Sequence, residues 1–136
     1  MDNQFTNLIQ AALGARKQAY APYSNFAVGA AVQGSSGAVF VGSNIENISY
    51  GLTICAERIA VGGAVAAGER KFVAIAVVAD TTEPIVPCGA CRQFLAEFAP
   101  DLIIVSATIR GGQKIENLSN LLPHPKRGIL EDVHTH

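Results

Sequence analysis

Three cysteines and one glutamate are the residues of this sequence whose types and spacing could do chemistry. Pro87-Cys88-Gly89-Ala90-Cys91 is a Cys-x-x-Cys pair at the start of a predicted helix, and Cys55-Ala56-Glu57 opens another helix upstream. A Cys-x-x-Cys at a helix start can grip one metal with both sulfurs, and the positive helix end lowers the thiol pKa values. A third thiolate from a second helix start supplies three ligands of a tetrahedron, for which zinc is the expected metal. Three protein ligands leave the fourth position open, the arrangement of a catalytic zinc. Glu57, two residues beyond Cys55, then falls in the first helical turn, beside the metal without ligating it. That is where a carboxylate can serve as base and then as acid.

Blander readings of the same residues compete. Cys88 and Cys91 fit a thioredoxin-like redox pair, but the usual aromatic before the first cysteine is absent and Cys55 is left unexplained. A purely structural zinc normally has four protein ligands. The histidines are His124, His134 and His136, all near the C-terminus, and none pairs naturally with the cysteines. Glu57 by itself would be a solvated helix residue, and Arg58 a surface charge.

The elements that must position these residues follow from hydrophobic pattern and turn chemistry. Phe5, Leu8, Ile9, Ala12 and Leu13 recur at helical spacing, and Pro22 stops that helix. Residues 26–33 and 38–42 read as two strands joined by Gly34-Ser35-Ser36-Gly37, a hairpin. Residues 43–52 read as a loop. An Ala-rich helix runs from Cys55 to about Ala67, with Gly68 just past its end. Gly62 and Gly63 inside it each cost about 1 kcal/mol relative to Ala, so they are expected to admit another backbone, within the fold or across subunits. Residues 72–79 form an apolar strand of the kind buried on both faces. A helix over 89–98, a strand over 102–109, a short strand over 113–116 and a short helix over 119–122 complete the order. The expected fold is one α/β domain over residues 1–136, a central mixed sheet of about five strands flanked by helices, with 123–136 a loosely held C-terminal tail.

Composition narrows the partners. Length alone, 136 residues, indicates one domain. Ten basic residues against eleven acidic ones give a net charge of −1, without any basic cluster. The electrostatic footprint of a nucleic-acid binder is missing, and a small substrate is favoured. Hydrophobic residues make up 49% of the chain and charged ones 15%, against about a quarter in typical domains; so few charges point to a homo-oligomer. The start shows no leader-like apolar segment, and no run approaches the ~20 residues of a membrane span. With three cysteines that do not suit a disulfide framework, the expectation is a reduced, cytoplasmic protein without membrane contact.

The order of the chemical groups (ligand, one residue, Glu, then Pro-Cys-x-x-Cys, with three cysteines as an allowed ligand set) is the signature of zinc deaminases. Ala21-Pro22-Tyr23-Ser24-Asn25-Phe26-Ala27-Val28-Gly29-Ala30-Ala31, Asn44-Ile45-Glu46-Asn47, Thr53-Ile54-Cys55-Ala56-Glu57-Arg58 and Pro87-Cys88-Gly89-Ala90-Cys91-Arg92-Gln93 together resemble the blocks of the small homotetrameric cytidine deaminases. The resemblance spans most of the chain, from Ala21 to Pro123. It implies one zinc per subunit on Cys55, Cys88 and Cys91, and hydrolytic deamination of cytidine and deoxycytidine with Glu57 as the proton shuttle. It further implies that Asn44 and Glu46 bind the ribose hydroxyls, Phe26 packs on the pyrimidine, and the Ala56 backbone contacts its carbonyl. Tyr50 would be presented to a neighbouring subunit's site in a homotetramer. Arg58 would hydrogen-bond a thiolate and restore acidity to the metal.

Two departures bear on nucleoside preference. Family members commonly carry a Phe three residues beyond Leu-Leu-Pro, where this chain has Lys126, and Ile48 stands where a small residue is common. The related blasticidin deaminases share the cysteine motifs but tend to lack the Asn-x-Glu pair that this chain keeps, which argues for a nucleoside. A deaminase of a modified cytidine or of blasticidin S, and a structural zinc interaction module, are the alternatives.

Overall fold

A computed structural model of the chain describes residues 5–126. The order is α1 (Thr6–Arg16), β1 (Val28–Gly34), β2 (Val39–Ser43), α2 (Ala56–Ala66), β3 (Phe72–Ala79), α3 (Gly89–Ala96), β4 (Ile103–Thr108), β5 (Gln113–Asn117) and α4 (Leu118–Leu121). The five strands form one sheet in the order β2-β1-β3-β4-β5. β3 and β4 are parallel and the other pairs antiparallel, so the sheet is mixed, as expected.

Strand β3 shows why its sequence is apolar without alternation. Ile75, Val77 and Ala79 face a core shared with Ala56, Ala60, Val61 and Ala64 of α2 and Leu95 of α3. Ala74, Ala76 and Val78 face the opposite core, closed by Phe5, Leu8 and Ala12. Helices therefore cover both faces, and a strand buried on both sides needs apolar residues at every position. Helix α2 meets the sheet through small residues, which brings its backbone close. A Cβ on Gly42 of β2 would lie 2.5 Å from Ala60 N and 2.7 Å from Ala56 O.

Several expectations shift in detail. α1 ends at Arg16, before Pro22, and Arg16 Nε donates to Ala27 O at 3.0 Å, tying the helix end to the approach of β1. Residues 43–52 are less loose than a loop: Ile45 is bridged to Tyr20 and to Ile54, and Tyr50–Leu52 is a 3₁₀ turn. Gly68 has φ of 100° past the C-cap Ala67, where a side chain would be strained. Gly62 and Gly63 are exposed and a Cβ on either meets nothing within 4 Å. Within this chain they admit no close backbone, because they sit on the outer face of α2; Gly42 does that work instead. Of the tail, residues 123–126 are described, and Lys126 exchanges two hydrogen bonds with Gln93, each 2.9 Å. His134 and His136 lie outside the described residues.

Candidate metal centre and its pocket

Cys55 and Cys88 are the N-cap residues of α2 and α3, both with extended backbones (φ, ψ of −73°, 154° and −66°, 170°) and neither making a side-chain cap bond. Ser, Thr, Asp or Asn usually fill such positions to bond the free N–H groups. Here the thiols turn toward each other, with Cys55 Sγ 3.9 Å from Cys88 Sγ. Cys91, one turn into α3, is buried, and all three sulfurs lie within 4.8 Å of one another. Zn–S bonds of about 2.3 Å in a tetrahedron require sulfurs about 3.8 Å apart, so this donor set fits one zinc. It does not fit an isolated redox pair, since Cys55 is as much a member as either cysteine of the Cys-x-x-Cys.

The thiols of the cluster differ in acidity. A hydrogen bond with Cys91 and the nearby Arg58 guanidinium bring the Cys55 thiol down to about 5, against the burial that opposes its ionisation. The same bond with Cys55, reinforced by burial, pushes the Cys91 thiol up. A bound cation would let all three sulfurs ionise. Among the described residues these are the three donors gathered there, one short of the four that a closed structural site requires.

Glu57 occupies the first turn of α2 and is buried, 5% exposed. Burial is the main cause that lifts its carboxyl to about 7, with the Cys55 charge adding to the rise and its own backbone N–H and Arg58 opposing it. Arg58 Nη2 donates to Cys55 Sγ at 3.6 Å, and the buried Arg58 Nε has no hydrogen-bond partner among the described residues. Ala56, fully buried, begins α2, so its N–H is one of the first-turn groups that the helix leaves free.

The Asn44–Glu46 segment is tied to the approach to Cys55. Ile45 and Ile54 exchange backbone hydrogen bonds of 3.0 and 2.9 Å, pinning the Asn44–Glu46 segment beside the residue that precedes Cys55. Asn44 is buried; its Oδ1 accepts from Val28 N at 2.9 Å and its Nδ2 donates to Phe26 O at 2.8 Å. One Nδ2 hydrogen and one Oδ1 lone pair stay available. Glu46, Tyr23, Ser24, Tyr50 and Thr53 line a cavity of about 380 Å³. Tyr50 therefore shares a cavity with Glu46 of its own chain, in edge contact with Tyr23 (5.9 Å between ring centres, 65° between planes). Phe26 stays 38% exposed, held at the backbone rather than by core packing.

Sequence reasoning missed Tyr23, Ser24 and Arg92. Tyr23 and Ser24 donate to Glu46, whose carboxyl is held below its ordinary range chiefly by the Ser24 hydroxyl. Arg92 Nε donates to Pro87 O at 2.8 Å and Nη1 to Leu121 O at 3.1 Å, buckling the Cys88 loop to α4. Their place inside the quoted sequence blocks was the available signal.

Comparison with known proteins agrees with this geometry. Residues 2–107 match the family described as the cytidine and deoxycytidylate deaminase zinc-binding region. The chain is 52% identical over 124 residues to a cytidine deaminase of Halalkalibacterium halodurans, covering 90% of this chain and 92% of that protein. The crystal structure of a cytidine deaminase from Burkholderia pseudomallei superposes with a TM-score of 0.87 at 50% identity, over 93% of this chain and all of that one (100%). A cytidine deaminase structure from Mycobacterium tuberculosis gives 0.79 at 38% identity, covering 91% and 98%.

Proposed function

The chain belongs to the cytidine and deoxycytidylate deaminase family, and from that premise we propose that it hydrolyses the C4 amine of cytidine and deoxycytidine, giving the uridine nucleosides and ammonia. The observation that carries this is the convergence of three sulfurs from two helix starts with the buried Glu57 in the same turn as Cys55. Cys55, Cys88 and Cys91 hold one zinc per chain, which when bound supplies the Lewis acidity that activates water for attack on C4. Glu57 carries a proton from the attacking water to ring N3 and then to the departing amine, one carboxyl acting as base and then acid. The Ala56 N–H receives the pyrimidine carbonyl and Phe26 packs on the ring. Asn44, through its remaining donor, and Glu46, through its remaining lone pair, take the ribose hydroxyls.

The Asn44–Glu46 pair favours a nucleoside over blasticidin S, and the even balance of charge favours a small molecule over a nucleic-acid strand. The chain acts as a homotetramer in which Tyr50 also reaches a neighbour's site, and it serves cytoplasmic pyrimidine salvage. Among the described residues no helix is long and apolar enough to cross a membrane.

The test is the ultraviolet spectrum of cytidine, deoxycytidine and blasticidin S incubated with zinc-loaded protein, alongside Glu57→Ala. Conversion of the two nucleosides is expected. The variant should keep its zinc and its fold while kcat falls by about 10²- to 10⁴-fold, the usual weight of a positioned proton shuttle. Full activity in Glu57→Ala would remove Glu57 from the mechanism.

A further inference from the structure

The segment Ala21–Phe26 between α1 and β1 is organised around a carboxylate from another part of the chain. Glu46 Oε1 accepts the backbone N–H groups of Tyr23 at 2.9 Å and Ser24 at 3.1 Å, and Glu46 Oε2 accepts the Ser24 hydroxyl. The same Ser24 oxygen accepts the N–H of Phe26 at 3.0 Å. On the other side, the Phe26 carbonyl accepts Asn44 Nδ2 at 2.8 Å. Between Ser24 and Phe26, Asn25 has φ of 58°, the sole positive value at a non-glycine residue among those described. Asparagine tolerates that left-handed conformation better than most residues, and the kink lets the Ser24 oxygen face the Phe26 N–H and Glu46 together. Phe26 is 38% exposed, and these bonds hold its backbone from both sides, so they set the point from which its ring projects.

We propose that Ser24 is a positioning residue whose hydroxyl couples the carboxylate of Glu46 to the ring of Phe26, so that sugar recognition and the base clamp are set together. This rests on the roles given above to Glu46 and Phe26. An ionised carboxylate has about four lone-pair sites. Three are taken by Tyr23 and Ser24, which fixes the carboxylate's rotation and aims the fourth at a sugar hydroxyl. Without the Ser24 hydroxyl, Oε2 loses that constraint and the Phe26 N–H loses its acceptor. Both errors fall on nucleoside binding. The proton shuttle, on α2, is untouched.

Steady-state kinetics with cytidine read this directly. Ser24→Ala should raise KM by about tenfold or more, the scale of one lost hydrogen bond to a charged group, while kcat changes far less and zinc content stays at one per chain. That split marks lost binding rather than lost chemistry. Ser24→Thr should restore KM and Ser24→Val should not; differing in the hydroxyl alone, they also carry the test where the alanine variant folds poorly. In a Glu46→Gln background, Ser24→Ala should add much less than it does alone. Fully additive effects, or equal KM values for the threonine and valine variants, would overturn the coupling. If Glu46→Gln leaves KM for cytidine unchanged, the sugar-binding reading of Glu46 fails. If it raises KM while Ser24→Ala does not, the role of Ser24 fails instead.

Discussion

Three thiolates around one divalent zinc leave the site with net negative charge, and donated charge weakens the metal as a Lewis acid. Arg58 Nη2 lies on Cys55 Sγ at 3.6 Å, and we propose that it offsets this charge. A hydrogen bond to a ligand sulfur draws electron density from it without removing the ligand. Such outer partners are typically worth about 10- to 100-fold in activity or affinity. Arg58→Gln is expected to hold zinc stoichiometrically, measured by metal analysis, and to lose about 10- to 100-fold in kcat. A variant with full turnover would show that the guanidinium only fills space beside the sulfurs. The position was legible in the sequence only through its place next to Glu57, since an arginine one residue away reveals nothing about which way its nitrogens turn.

At the level of elements, helix α2 is located by a glycine on a neighbouring strand. Gly42 of β2 faces the backbone of α2, and a methyl group there would come within 2.5 Å of Ala60 N and 2.7 Å of Ala56 O. Neither atom can move without carrying the helix along. Gly42→Ala is therefore expected to cost about 1–3 kcal/mol in stability, the usual range for overpacking, read as a lower midpoint in denaturant. Because the displaced end of α2 holds Cys55 and Glu57, zinc affinity should fall with it. An unchanged midpoint would mean that α2 is not seated against β2 as described. Strands β1 to β4, the hairpin and the helices that carry the cysteines were legible because their signals are local: apolar runs, a Gly-Ser-Ser-Gly turn, helix-start motifs. The tight glycine was not, because what makes it necessary lies on another element. Gly62 and Gly63 stand out in the sequence instead, since a glycine inside a helix is locally costly while Gly42 in a strand end is unremarkable from its neighbours. The Ser24–Glu46–Phe26 network escaped for the same reason: its donors and acceptor lie 22 and 23 positions apart.

For the molecule as a whole, the low share of charged residues reappears as surface. β2 is an edge strand, and its Val39 and Val41 are 44% and 50% exposed, followed by Ile45, Ile48, Tyr50 and Leu52 at 44% to 80%. Beside them Tyr20, Val41, Ile45 and Ile59 line an apolar hollow of about 410 Å³. An edge strand with apolar side chains invites uncontrolled association unless something covers it, and the proposed homotetramer would cover it with copies of the chain. The loop that carries Glu46 and Tyr50 belongs to this same surface, so assembly and substrate binding are expected to fail together. Light scattering on the purified protein should give a mass of four 14.2 kDa chains. Val41→Glu, placing a charge on the edge strand outside the metal cluster, should lower that mass and reduce specific activity while each chain retains its zinc. A dissociated variant with full activity would show that each chain binds and turns over substrate alone. A tetramer unmoved by the charge would place the contact on another face, with the exposed outer side of α2 at Gly62 and Gly63 the next to alter.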